Sequence, residues 1–150
     1  MFYILIILCI LALEWKLKNY IEATYDFKKE EYRANKLLKI HKYHNPGAFL
    51  NIMQLKKKLL HAISIGFTLT ITLFFLLTLC HKGNRVLKLG LALLLGGAFS
   101  NTYDRLSRNY VIDYFSFCTP WKKFNRIVFN ISDFCILIGT LLVVLKTENF

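Results

Sequence analysis

The sequence predicts an all-α membrane protein: four transmembrane helices, with a long first extramembrane loop that carries an amphipathic helix and a possible small β element. Three observations lead there. Apolar residues make up 55% of the 150-residue chain, with a mean hydropathy of +0.41, well above the level of soluble domains. Three apolar stretches, Leu59 to Cys80, Val86 to Tyr103 and Ile127 to Leu145, have the length of bilayer-crossing helices, which take about 20 residues. The basic residues fall mainly between those stretches.

The first span is assembled from a short apolar run, Met1 to Leu13. That run lacks the basic start and small-x-small cleavage site of a secretory signal, so it is read as retained. Its helix continues through "EWKLKNY", because Glu14 and Lys18 stand four apart with the acid first, the favoured order for a helical ion pair. The spans are then about 1–20, 59–80, 86–104 and 127–146, and they form a single domain over 1–150.

Two connections are long, Trp15 to Lys58 and Asp104 to Arg126, and loops of that length in a small protein tend to be functional. In the first, the polar segment "DFKKEEYRANKLLKIHKY" reads as a surface-lying amphipathic helix that breaks at "NPGAF", where Pro46 and Gly47 form a turn. The net charge of +11 comes without a nucleic-acid fold or an aromatic-basic motif, so it points to anionic lipid head groups and not to nucleic acid. Cys9, Cys80, Cys118 and Cys135 have no metal-ligand spacing and read as packing residues.

Four crossings put the two long loops on one face of the membrane. Glu14, Lys18, Asn45, Asn101, Asp104, Arg105, Asp113, Asn130 and Asp133 all fall at that face. Gly97, Asn101 and Arg105 recur every four residues and so form one helical stripe, with Gly96, Ser100 and Asp104 beside it. Small residues there are what a helix-packing seam needs, but an asparagine inside the seam requires a polar partner. Asn130 and Asp133 share a face of the fourth span, with Asp133 about 9 Å along the axis from Ile127 at about 1.5 Å per residue. An ionisable residue in a span suggests a functional site, the alternative being a structural ion pair with Arg105. Asp113, in "VIDYF", is the other acid in an apolar setting on this side, whereas Asp104 with Arg105 reads as an anchoring hydrogen-bond group.

Two carboxylates held close in low dielectric cannot both ionise, so one keeps a proton while the other stays charged. That is the chemistry of an aspartic protease, in which one carboxylate takes a proton from the attacking water and the other donates to the peptide carbonyl. It calls for no metal and no cofactor.

At these residues the chain resembles a known family. "GGAFSNTYDRLSRNYVIDYFSF" followed by "FNISDF" is similar to the lipoprotein signal peptidase (signal peptidase II) pattern of GGAxGNxxDR, then VVDF, then FNxAD. The resemblance implies an intramembrane aspartic endopeptidase that removes signal peptides from diacylglyceryl-modified prolipoproteins, cutting just before the lipid-bearing cysteine. It places the catalytic pair on Asp113 and Asp133 and supporting residues on Asn101, Arg105, Asn130 and Gly97. "NPGAF" resembles the family's asparagine-x-glycine-alanine stretch, which adds Asn45, Gly47 and Ala48. "LEWKLK" resembles LDQxTK, which adds Glu14 and Lys18. The expected partners are the lipid-modified precursor and membrane lipids, the expected state a monomer, and the expected place the bacterial cytoplasmic membrane with the active site toward the outer face.

Four positions depart from the family pattern: Glu14 replaces aspartate, Ser100 a glycine, Ser132 an alanine, and Phe134 is bulkier than the usual residue. Of the twenty Lys and Arg residues, sixteen lie between Trp15 and Arg126 outside the short "HKGNRVLK" connection. Charge alone would therefore put the long loops in the cytoplasm, opposite to the family's arrangement. A catalytically inactive four-span protein that binds lipopeptides or a partner is the competing reading.

Overall fold

The structure, a computed structural model, describes residues 1–47, 57–121 and 123–147. Four long helices carry the chain, α1 (Phe2–Thr24), α2 (Lys57–Leu79), α3 (Arg85–Arg108) and α4 (Ile131–Thr147). Three strands, β1 (Glu30–Arg33), β2 (Leu38–Asn45) and β3 (Val111–Phe117), form one antiparallel sheet in the order β1-β2-β3. A 3-10 turn at Phe124–Arg126 precedes α4.

Helix α3 is the hub, packing against each of the other three helices. Its faces are divided by residue size. Gly97 backs directly onto the Ser132 carbonyl of α4, where an added Cβ has no room, while a Cβ on Gly139 of α4 would stand 2.5 Å from the Leu94 nitrogen. Gly96 faces Ile10 of α1. The buried residues of α1, Ile7, Ile10, Glu14, Lys18 and Ile21, follow the three- and four-residue spacing of a single stripe turned toward α3.

The packing is polar inside and apolar outside. Glu14, Lys18, Ser100, Asn101, Asp104, Asn130 and Ser132 are buried, while Phe67, Leu69, Leu73, Phe74, Leu76 and Leu77 of α2 are exposed. In water that arrangement would leave large apolar areas uncovered, whereas in lipid it is the favourable one. Among the described residues, Lys58–Leu79 and Arg85–Arg108 are long and apolar enough to cross a membrane. In α1, Glu14, Lys16 and Lys18 interrupt the apolar run, and α4 has 17 residues.

The structure departs from the expectation in four places. The segment expected as an amphipathic helix is the β1-β2 hairpin, its tip formed by Ala34, Asn35 and Lys36 at positive φ. Tyr32, Ile40 and Tyr43 favour strand, and pairing with β3 supplies long-range contacts that local helical propensity does not encode. The first span runs on to Thr24. The fourth begins at Ile131 and not at 127, because Phe129 is drawn into an antiparallel bridge with Phe115. Cys9 and Cys80 are exposed and so are not packing residues.

Two backbone features aim the sheet at the helices. Asn109, left-handed at φ 65, ends α3 and lets β3 start at Val111, so the strand folds back over the helix end. Ile112 and Tyr114 then pack on Ile21 and Tyr25 at the end of α1. In β2, Ile40 pairs with Phe115 and Tyr43 with Asp113, so the strand carries one extra residue there. Without this bulge, alternation from Ile40 would bring Lys42 and His44 onto the Asp113 face. With it, Tyr43 and Asn45 lie there.

Candidate active site

Asp113 sits on β3 and Asp133 in the first turn of α4, and Asn130 is bonded to both. Its side-chain amide donates to Asp113 Oδ1 at 2.6 Å, and its backbone N–H donates to Asp133 Oδ2 at 3.1 Å. Asn130 Oδ1 in turn accepts from the Asp133 N–H at 3.0 Å. Asn130 and Asp133 thus form a reciprocal capping box, which satisfies two free N–H groups at the start of α4 and fixes the carboxylate. Asp133 is therefore at the helix mouth, not two turns inside the span. The Asn-x-x-Asp spacing was the signal for this cap.

Each remaining carboxylate oxygen is held by another asparagine. Asn45 Nδ2 donates to Asp113 Oδ2 at 2.9 Å, and Asn101 Nδ2 donates to Asp133 Oδ1 at 3.0 Å. The orientation of both amides is set from behind. Asn45 Oδ1 accepts from the Gly47 N–H at 2.9 Å, with Gly47 at φ 104, where other residues are strained. Asn101 Oδ1 accepts from Lys18 Nζ at 3.0 Å. Ala48 lies outside the described residues.

Lys18 is the centre of a second layer. The residue is 1% exposed, and its ammonium group also reaches Asp104 Oδ2 at 2.9 Å, Glu14 Oε2 at 3.3 Å and Ser100 Oγ at 3.0 Å. Glu14 accepts from the Tyr114 hydroxyl and from Ser132 Oγ, each at 2.6 Å, and the Tyr114 oxygen accepts from the Ile131 N–H at 3.0 Å. Burial and then the Glu14 carboxylate push the Tyr114 phenol above its ordinary range, so it stays a donor. Asp104 accepts from the Ile112 N–H at 3.3 Å and so tethers β3 to α3.

Asp104 is thus the anchoring group that its sequence setting suggests, and Ser100 flanks the expected stripe, whereas Tyr114 and Ser132 are site residues that sequence reasoning does not single out. Ser132 and Ser100 are also departures from the family pattern, and Ser132 answers a third by donating to the longer Glu14, while Ser100 accepts from Lys18. Glu14→Asp and Ser132→Ala are accordingly expected to be non-additive, with the double variant more stable than the sum of the singles predicts by about 1 kcal/mol. Unfolding of the four proteins in detergent measures this. A coupling indistinguishable from zero would mean the two changes are independent.

Arg105 makes no ion pair with Asp133 among the described residues. Its Nη1 donates to the Asn101 carbonyl at 3.4 Å, its buried Nε has no hydrogen-bond partner among the described residues, and the carboxylates that act on it most are Asp133 and Asp113. Gly97 contributes by letting the α4 backbone approach at Ser132, next to Asp133. Burial, followed by the charge of Asp133, pushes the Asp113 carboxyl from its ordinary 3.8 up to about 7, against the hydrogen bonds from Asn45 and Asn130 and the charge of Lys18.

An apolar exterior around a buried polar network, with two acids at one end, defines a helical membrane protein built around a polar site. The same fold occurs in a bacterial membrane enzyme solved by the in meso method, which superposes with a TM-score of 0.83 over 97% of this chain and 91% of that one, at 24% identity. Residues 6–148 match the family described as signal peptidase (SPase) II. The chain is 33% identical over 141 residues to the lipoprotein signal peptidase of Lactobacillus johnsonii, spanning 94% of this chain and 88% of that one. It is 33% identical over 101 residues to the lipoprotein signal peptidase of Clostridium tetani, spanning 67% and 63%. The chain belongs to the signal peptidase II family.

Proposed function

We propose that the protein is an aspartic endopeptidase that removes the signal peptide from diacylglyceryl-modified prolipoproteins, with Asp113 and Asp133 as the catalytic pair. The observation that carries this reading is the sharing of Asn130 by the two acids, together with the near-neutral Asp113 carboxyl. In the proposed reaction the ionised acid takes a proton from water, whose oxygen attacks the carbonyl carbon before the lipid-bearing cysteine. The protonated acid donates to the carbonyl oxygen. Collapse of the tetrahedral state breaks the C–N bond, and the leaving nitrogen takes up a proton from the pair. The pair titrates as a unit, so either acid can start in either role.

Asn45, Asn101 and Asn130 hold the carboxylates at fixed angles; Gly47 orients Asn45, and Lys18, itself paired with Glu14, orients Asn101. The unpartnered Nε of Arg105 offers a donor to a substrate carbonyl. Four helices cross the cytoplasmic membrane and the sheet lies toward the outer face. That orientation places many lysines outside, and the strand residues Lys39 and Lys42 fit a sheet resting among lipid head groups.

Cleavage of a dipalmitoylglyceryl-modified precursor peptide by the purified protein tests the activity, and no cleavage by a folded preparation would refute it. The pH dependence tests the pair. Asp113 has its pKa raised, so the required proton is present below about 7 and lost above it. The kcat/KM is expected to fall about tenfold per pH unit on the basic side. The same shift works on stability. The folded protein binds this proton more tightly than the unfolded chain, so its contribution is full below 3.8, falls as pH rises, and is gone above about 7. A rate that is flat from pH 6 to 9 would mean that no shared proton is needed.

A further inference from the structure

The outer face of β3 continues past Asp113 into phenylalanine. Strand alternation puts Phe115 and Phe117 on the Asp113 side, and the bridge to Phe129 adds a third ring. Phe134, next to Asp133, stacks on Phe115 with centroids 5.6 Å apart and meets Phe129 at 5.6 Å and Phe117 at 6.2 Å. Between the Phe117 and Phe129 rings, with Phe134 beside them, and α4 lies a cavity of about 570 Å³ whose wall includes Asp133, Ile136, Leu137 and Thr140. Those four positions form one stripe of α4, and from Asp133 to Thr140 the trough runs about 10 Å at about 1.5 Å per residue.

Asp133 and Thr140 are the only polar side chains in the wall among the described residues, one at each end. The trough thus starts at a catalytic acid and leads along α4 to exposed Leu137 and the apolar exterior. A single apolar side chain is much shorter than this path. A straight hydrocarbon chain entering from lipid matches its lining and its end point and is long enough to run its whole course. We propose that the trough seats one acyl chain of the lipid-modified precursor, with Phe134 as the wall that sets the shape of chain it accepts. This rests on the peptidase reading above. The competing occupant of the same chemistry is an apolar side chain of the signal peptide.

The test uses the purified full-length protein in mixed micelles with synthetic precursors that vary independently in two respects: octanoyl, palmitoyl or methyl-branched acyl chains, and alanine or leucine just before the modified cysteine. Thr140→Trp blocks the far end of the trough and is expected to lower the palmitoyl-to-octanoyl ratio of kcat/KM about tenfold, the scale of a filled apolar pocket. Phe134→Ala opens the wall and is expected to raise the branched-to-straight ratio by a similar factor. Neither should move the leucine-to-alanine ratio. A shift confined to the leucine-to-alanine ratio would make the trough a side-chain subsite, and unmoved ratios in both variants would remove it from substrate binding altogether; either result overturns the proposal. Absence of cleavage by the unaltered protein would remove the peptidase reading and this inference together. Normal cleavage with unmoved ratios would remove the inference alone.

Discussion

Asp113→Asn and Asp133→Asn are each expected to lower kcat/KM on a lipid-modified precursor by at least about a thousandfold, the scale lost when one member of a unit-acting catalytic group is removed. Each thousandfold corresponds to about 4 kcal/mol of transition-state stabilisation. The loss should come from chemistry and not from unfolding. Asn at 113 keeps an oxygen for the Asn130 amide, and Asn at 133 keeps one for the Asn130 N–H, so the α4 cap survives. Each substitution does turn an amide toward an asparagine donor, Asn45 or Asn101, and so gives up one hydrogen bond. Unfolding midpoints measured beside the rates separate the two effects. The catalytically silent reading makes the opposite forecast: both variants would bind lipopeptide as before, and the unaltered protein would cleave nothing. Near-normal turnover by either variant would end the assignment of the pair.

The second large effect is expected away from the reacting atoms. Lys18→Met removes the cation shared by Glu14 and Asp104, at 3.3 Å and 2.9 Å, in a site with almost no solvent. Breaking a buried pair from one side costs about 3–5 kcal/mol, because the partner charges stay behind without compensation. Here Glu14 stays behind without a cation among the described residues, while Asp104 keeps Arg108 at 3.6 Å. The Asn101 amide also loses the contact that turns its NH2 toward Asp133, so kcat should fall beyond what the lost stability explains. Adding Glu14→Gln to Lys18→Met removes the carboxylate left without a cation and is expected to restore most of the stability without restoring the rate. Unfolding in detergent and single-turnover cleavage measure the two separately. If Lys18→Met alone were as stable as the parent, the cluster would not hold α1 to α3.

The pieces of this site were readable to different depths. The stripe Gly97, Asn101 and Arg105 follows from helical period alone, and the structure turns Gly97 and Asn101 toward α4. The acids in apolar settings, Asp113 and Asp133, could be picked out because charge in such places is costly. The Glu14 and Lys18 pair was visible as a four-residue spacing. Its burial was not, since that spacing is equally common on solvated helix faces. Tyr114 and Ser132 gave no signal, because a hydroxyl in an apolar run has many ordinary explanations. The hairpin was misread as helix because its lysines and leucines suit either state, and only the pairing with β3 decides.

The amino-acid order by itself determined the apolar helices, the polar residues at one end of them, and the pair of acids worth testing. These follow from local period and from the cost of charge in hydrocarbon, which need no knowledge of neighbours. Only the tertiary structure decided that a bulge in β2 brings Asn45 and not His44 to Asp113, that Asn130 caps α4 while bridging the acids, and that Lys18 is enclosed. Strand register, helix ends and burial depend on the partner an element meets, and that partner lies far away along the chain.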